Sequence, residues 1–166
     1  MLGIMVLIVA YCVAAHACYI GSKVTVSLYA LELGASQTTI GVLAAVYAAA
    51  PLVLGVYSGR LVDSHGTRWP LIGGAGVIAL AMLAGVWGFG LAALFTTALL
   101  TGAGFMFFNV AIQTLTGGRG AEADRAKNFA VLSIAYSISS FIGPVSVGLA
   151  IDHLGYTGAF IMLALF

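Results

Sequence analysis

The chain has 166 residues, of which 62% are hydrophobic and only 7% are charged, and its formal net charge is +1. Its mean hydropathy of +1.14 excludes a soluble globular domain, which carries about 25% charged residues. The composition therefore predicts an integral membrane protein whose surroundings are the lipid bilayer. It does not indicate a nucleic-acid partner, because no basic tail or patch accompanies the near-neutral charge.

Segments long and apolar enough to cross a bilayer follow one another along the chain. A membrane-spanning helix needs about 20 apolar residues to cross a hydrocarbon core of about 30 Å. The predicted spans are residues 1–31, 38–58, 70–88, 91–116 and 129–151, and residues 156–166 predict the beginning of a sixth, incomplete span. The charge-free run 70–116 would form a helix of about 70 Å, so we expect a break at Gly88-Phe89-Gly90. The predicted fold class is all-α, a polytopic membrane helix bundle.

Charge in the connections predicts the orientation of these spans. The connections after spans 2 and 4 hold every Lys and Arg outside the spans, namely Arg60, Arg68, Arg119, Arg125 and Lys127. Short loops with an excess of Lys and Arg face the cytoplasm. Since spans 2 and 4 end on the same side, the pattern predicts a multi-pass protein of the plasma or inner membrane with a cytoplasmic N-terminus.

A short pattern occurs twice, each time at the end of the second helix of a three-helix unit. Residues 59–66 and residues 148–155 both read GxxxDxxG. The predicted orientation places the two copies on opposite sides of the membrane. Three-helix repeats with inverted topology are typical of secondary transporters. A chance match among 22 glycines is the alternative, but the corresponding helix positions favour 3+3 inverted repeats.

The first copy of the pattern belongs to a longer segment that resembles a known family. Residues 59–71, GRLVDSHGTRWPL, resemble motif A of the major facilitator superfamily (MFS), which lies between helices 2 and 3. Residues 33–41 resemble the helix 1–2 turn of that family, and residues 121–160 resemble its helix 4–5 loop, helix 5 and the start of helix 6. The resemblance implies that residues 1–166 form the N-terminal six-helix domain of a twelve-helix transporter, truncated in helix 6.

The function implied by this resemblance is secondary active transport of a small-molecule substrate by alternating access. A C-terminal six-helix half, or a second copy of the chain, would complete the substrate site. The alternative is a non-transporting membrane module or truncated product that packs with a partner half. An intramembrane enzyme has no support, because the sequence contains no GxSxG, no HExxH and no pair of acids within a span. No cofactor or metal is predicted.

Within motif A, the resemblance assigns Gly59, Asp63, Gly66 and Arg68 to a gate on the cytoplasmic side, where the Asp helps to hold the two halves together. The family usually has a basic residue directly after the Asp, and this chain has a serine there. Helix 4 has Ala98 where drug/proton antiporters place an Arg. These differences argue against a drug/proton antiporter, and they leave the superfamily resemblance intact.

Helix 5 carries the second implied motif. Gly143, Pro144 and Gly148 are predicted to form a packing motif, because small residues let helix backbones approach closely. The small side chains of Ser133, Ser137 and Ser140 extend the same stripe and are predicted to pack as well; the alternative is that the stripe contacts substrate.

The candidate cavity residues lie on helices 1 and 4. Lys23 is the one cation inside a predicted span and is a functional candidate for that reason, and His16 and Tyr19 share its helix face. This stripe predicts that helix 1 lines a central cavity; the alternative is that Lys23 snorkels to the outer interface, about 15 Å of helix away. Asn109 and Gln113 share a face of helix 4, where they either contact substrate or join helices by hydrogen bonds.

Overall fold

The computed structural model describes residues 2–87, 90–120 and 122–166, and the described chain is helical apart from short connections. The long helices are α1 (Leu2–Glu32), α2 (Gln37–His65), α3 (Arg68–Trp87), α4 (Gly90–Gly117) and α5 (Arg125–Ala164), and a short 3-10 helix, Glu122–Asp124, precedes α5. All five long helices have the length and apolar composition to cross a membrane. The described part of the chain contains no strand, so the predicted all-α membrane bundle is confirmed.

The helix ends follow from local sequence. Between α1 and α2, Gly34 takes a positive φ of 76° and its N–H donates to the Leu31 carbonyl, as at many helix C-termini. The Ser36 hydroxyl then caps α2 by accepting a hydrogen bond from the Thr39 N–H at 3.2 Å. Gly90, with a φ of 74°, begins α4. The rest of the predicted break, Gly88-Phe89, lies outside the described residues.

Helix α2 continues well beyond the end of the predicted second span. The sequence predicts the span to end at residue 58 and motif A to lie in a loop, whereas α2 runs to His65. The connection to α3 is therefore only Gly66 and Thr67, with Gly66 at a φ of 75°. The loop prediction is wrong because hydropathy marks where the apolar residues end. A helix keeps its backbone hydrogen bonds beyond that point, so it extends into the polar boundary.

Helix α5 contains a sharp break at Gly155. Its backbone leaves the helical region there, with a φ of 69° and a ψ of −178°, and separates residues 125–154 from residues 156–164. A glycine adopts this conformation without steric cost. The segment after the break packs beside α1 and α3, where Tyr156 stacks on Tyr29 at 4.7 Å and the Phe160 ring fills the space beside Gly85.

Glycines set the closest helix crossings. A Cβ on Gly143 of α5 would lie 2.7 Å from the Ala17 carbonyl oxygen of α1. A Cβ on Gly102 of α4 would collide with the Tyr47 carbonyl oxygen of α2. One turn or two further along, Gly21 faces Val147 and Gly55 faces Met106. The contacts therefore advance in the same direction along both helices of each pair, so α1 runs parallel to α5 and α2 parallel to α4. In an inverted repeat, helix 1 corresponds to helix 4 and helix 2 to helix 5. The crossing of α1 with α5 is then equivalent to the crossing of α4 with α2, as the repeat requires.

Candidate functional site: a polar and aromatic face on helices 1, 2, 4 and 5

The Lys23 ammonium lies beside two aromatic rings, one of which is part of a stacked pair. Its ammonium lies over the Tyr19 ring, 4.3 Å from the ring centroid, and 5.5 Å from the centroid of Tyr47 on α2. Phe105 of α4 stacks on Tyr19 with the centroids 3.9 Å apart and the planes 9° from parallel. The aromatic faces attract the cation because of their quadrupoles. Three helices thus meet around the one cation of α1.

The Tyr47 ring is fixed in place by hydrogen bonds and packing. Its hydroxyl donates to Ser22 Oγ at 3.2 Å, and the Ser22 hydroxyl donates to the Tyr19 carbonyl oxygen at 2.8 Å. The Tyr47 side chain is buried, with an exposed fraction of 1%. Because the Tyr47 ring is held in this way, its face has a fixed position beside Lys23. The attraction between the ring and the ammonium then helps to define where the ammonium lies.

His16 joins α1 to α5 one turn before Tyr19. Its Nδ1 lies 2.6 Å from Ser139 Oγ, and the Ser139 hydroxyl donates to the Tyr136 carbonyl oxygen at 2.9 Å. Because that hydroxyl has only one hydrogen, it accepts a hydrogen bond from Nδ1 of His16 when it donates to the Tyr136 carbonyl oxygen. The imidazole also packs against the rings of Tyr136 and Phe105, with centroids 4.7 Å and 5.5 Å away.

Asn109 continues the same face towards the other end of α4. Its Oδ1 accepts hydrogen bonds from the Tyr136 hydroxyl at 2.6 Å and from Gln113 Nε2 at 3.1 Å. Asn109 therefore joins α4 to α5, as membrane amides often do. Gln113 is exposed and contacts its own helix neighbour. The structure thus brings all five candidate cavity residues onto one continuous face.

The sequence interpretation missed the aromatic residues and Ser139, which connect these candidates. Phe105, Tyr136 and Tyr47 come from three different helices, and each contacts a candidate on α1. Phe105 precedes Asn109 by four residues, which places the two on one helix face; that spacing was the signal available in the sequence. Tyr47 and Tyr136 contact α1 because of how α2 and α5 are aligned against it, and no local sequence pattern predicts that alignment.

Motif A lies at the connected ends of α2 and α3. Asp63 and Arg68 are exposed, and no described residue forms an ion pair with either of them. A Cβ on Gly59 would meet nothing within 4 Å, so the described chain makes no close approach there. Gly66 occupies the positive-φ position that turns the chain into α3. The polar groups of the motif therefore face away from the bundle.

A sequence model of the Major Facilitator Superfamily matches residues 4–166, almost the whole chain. The chain belongs to the major facilitator superfamily. No curated protein sequence matches it. Membership agrees with the helical architecture, with the five membrane-capable helices and with the resemblance of residues 59–71 to motif A. Members of this superfamily are membrane transporters, so the polar face described above lies in a multi-pass membrane protein of a transporter family.

The helix 5 motif of this MFS chain divides into two parts in the structure. Gly143 is buried against the Ala17 backbone of α1, whereas a Cβ on Gly148 would meet nothing within 4 Å. Ser133, Ser137 and Ser140 are exposed rather than packed, and Ser139, outside the predicted stripe, is the buried serine that contacts His16. The packing predicted for Gly148 and the three serines is therefore not made within the described chain. Residues spaced three or four apart shift gradually around a helix, so the predicted stripe does not coincide with the face of α5 that contacts α1.

Proposed function

We propose that this chain is the N-terminal half of a secondary active transporter that moves a small solute across the plasma or inner membrane by alternating access. The observation that supports this most directly is the polar and aromatic face around His16, Lys23 and Asn109. Such a face is costly if it contacts lipid, and it suits the wall of a water-accessible cavity. Transporters of this architecture bind solute near the midplane between two repeats.

The half that would complete the cavity is part of the proposal. A C-terminal six-helix half, or a second copy of the chain, would cover this face and contribute the opposite wall. The exposed polar groups of motif A would then meet the partner half on the cytoplasmic side. Asp63 and Arg68 carry this role in the proposal because they are exposed and without ion-pair partners among the described residues.

The experiment is solute uptake by the gene product, expressed with whatever coding sequence follows Phe166 and reconstituted in proteoliposomes. A panel of small solutes is tested with and without a proton gradient. We expect saturable uptake of at least one solute, and we expect Asp63→Asn to slow uptake while solute binding is retained. Glu122→Gln is the control, because Glu122 is an exposed acid of the other connection at this end, between α4 and α5, where its one ion pair is with the neighbouring Arg125 at 4.0 Å. A protein that binds a partner half but moves no solute would favour the non-transporting module.

A further inference from the structure

The position of the Lys23 ammonium is the feature that extends the proposed function. Lys23 lies nine residues before the end of α1 at Glu32, which is about 13 Å of helix. Tyr47, whose ring lies beside the ammonium, comes ten residues after the beginning of α2 at Gln37, about 15 Å along that helix. The two helices therefore place the cation at the same depth. The distance from the helix ends, about 13–15 Å, is comparable with half the thickness of a hydrocarbon core of about 30 Å.

The side chain points away from the nearer end of its helix. A snorkelling lysine extends its ammonium towards the closest interface, which here means towards Glu32. Instead the ammonium lies over the ring of Tyr19, four residues earlier and closer to the middle of α1. This geometry favours the cavity interpretation over snorkelling, because the ammonium lies beside Tyr19 on the side of the middle of α1.

The described residues stabilise this cation only in part. The Tyr19 and Tyr47 rings attract it through their faces, but aromatic faces do not accept its N–H groups as an oxygen would. No described carboxylate lies within ion-pair distance of Lys23. The acids of the chain, Glu32, Asp63, Glu122, Asp124 and Asp152, all lie near helix ends or in a connection. Lys23 is only half-buried, so a solute can reach its ammonium.

We propose that the transported solute is a small organic anion whose carboxylate or phosphate binds Lys23 and whose apolar part lies on the Tyr19–Phe105 stack. The anion supplies the charge and the hydrogen-bond acceptors that the surrounding helices lack. The stacked rings offer an apolar surface beside the ammonium, so a solute with a charged end and an apolar body fits both. This inference rests on the proposed function, since it takes the polar face to be the solute site.

The test uses the fact that the chain has two lysines, Lys23 and Lys127. In the full gene product, labelled with ¹³C at lysine Cε and purified in detergent, the Lys23 signal is assigned by its loss in Lys23→Arg and the Lys127 signal by its loss in Lys127→Gln. Benzoate, hexanoate and phenyl phosphate are the anionic probes, and benzamide is the neutral match for benzoate. We expect at least one anion to shift the Lys23 signal saturably, with no saturable change at Lys127 and no change with benzamide.

Variants give a second measurement of the same binding. The active anion should raise the thermal unfolding temperature of the wild type and of Lys127→Gln. It should do so at about tenfold or more higher concentration, or not at all, in Lys23→Gln, because a charged hydrogen bond is lost. Lys23→Arg keeps the charge and should retain binding. The NMR measurement needs only the wild type and the two assignment variants, Lys23→Arg and Lys127→Gln, so it tests the inference even if Lys23→Gln fails to fold.

Two outcomes would overturn the inference. Equal shifts with benzoate and benzamide would mean that Lys23 senses an apolar ligand and not an anion. No shift with any of the three anions would mean that the cation is neutralised in another way, for example by an acid of a partner half. The proposed function fails separately: anion binding without transport overturns only transport. A solute that Lys23→Gln transports as well as the wild type does overturns only this inference.

Discussion

At the scale of single residues, the candidate site depends on side chains that satisfy one another across helices. Asn109 accepts two hydrogen bonds, and the Tyr136 hydroxyl that provides one of them comes from α5. The Tyr136 ring also packs on His16 of α1. One tyrosine thus joins three helices, so its hydroxyl contributes to the position of the polar face as well as to stability.

Tyr136→Phe is expected to lower the free energy of unfolding by about 1 kcal/mol, because Asn109 loses one hydrogen bond within the membrane. The ring and its packing on His16 are retained. The measurement is unfolding of the purified protein by sodium dodecyl sulfate, followed by circular dichroism. Tyr57→Phe is the matched control, because it removes the same hydroxyl group from a tyrosine that is 60% exposed. Equal stability of the two variants would contradict the role given to the hydroxyl.

At the scale of helices, glycine pairs determine how closely α3 and α4 approach. A Cβ on Gly74 would lie 2.6 Å from the Gly104 carbonyl oxygen, and a Cβ on Gly104 would lie 2.7 Å from the Gly74 carbonyl oxygen. Both obstacles are backbone atoms, which cannot move aside as the end of a side chain can. The two helices can therefore keep this crossing only with glycine at both positions.

Gly74→Ala should destabilise the bundle by about 1–3 kcal/mol, because the helices must separate to accommodate the added methyl group. Gly76→Ala is the control: it adds the same methyl group to α3 at a position where a Cβ meets nothing within 4 Å. Thermal unfolding in detergent measures both variants. If the two melted at the same temperature, the close contact between α3 and α4 would not be limiting.

At the scale of the whole molecule, the alternating helices place the α2–α3 and α4–α5 connections at one end and the break at Gly155 at the other. The basic residues other than Lys23, namely Arg60, Arg68, Arg119, Arg125 and Lys127, all belong to the first end. From the positive-inside rule we expect that end to face the cytoplasm. The orientation of the protein in the membrane can therefore be tested with a reagent that does not cross the membrane.

Thiol labelling tests this orientation. The native Cys12 and Cys18 are 0% and 2% exposed, so a membrane-impermeant maleimide should not reach them in the folded protein. Ser64→Cys and Thr157→Cys place single exposed thiols at the two ends. In intact cells we expect labelling at position 157 alone, and at position 64 only after permeabilisation. Labelling of position 64 in intact cells would reverse the proposed orientation.

The sequence by itself determined that this chain is a bundle of membrane helices in the major facilitator superfamily, because composition, apolar length and motif A are local properties. Local sequence also placed His16, Tyr19 and Lys23 on one helix face. It did not determine that α2 continues through motif A to His65, because a helix does not end where its apolar residues end. Only the tertiary structure decided which residues of α2, α4 and α5 meet Lys23 and His16. The register between helices depends on crossings at Gly102 and Gly143, and backbone approach between distant segments leaves no pattern within either segment.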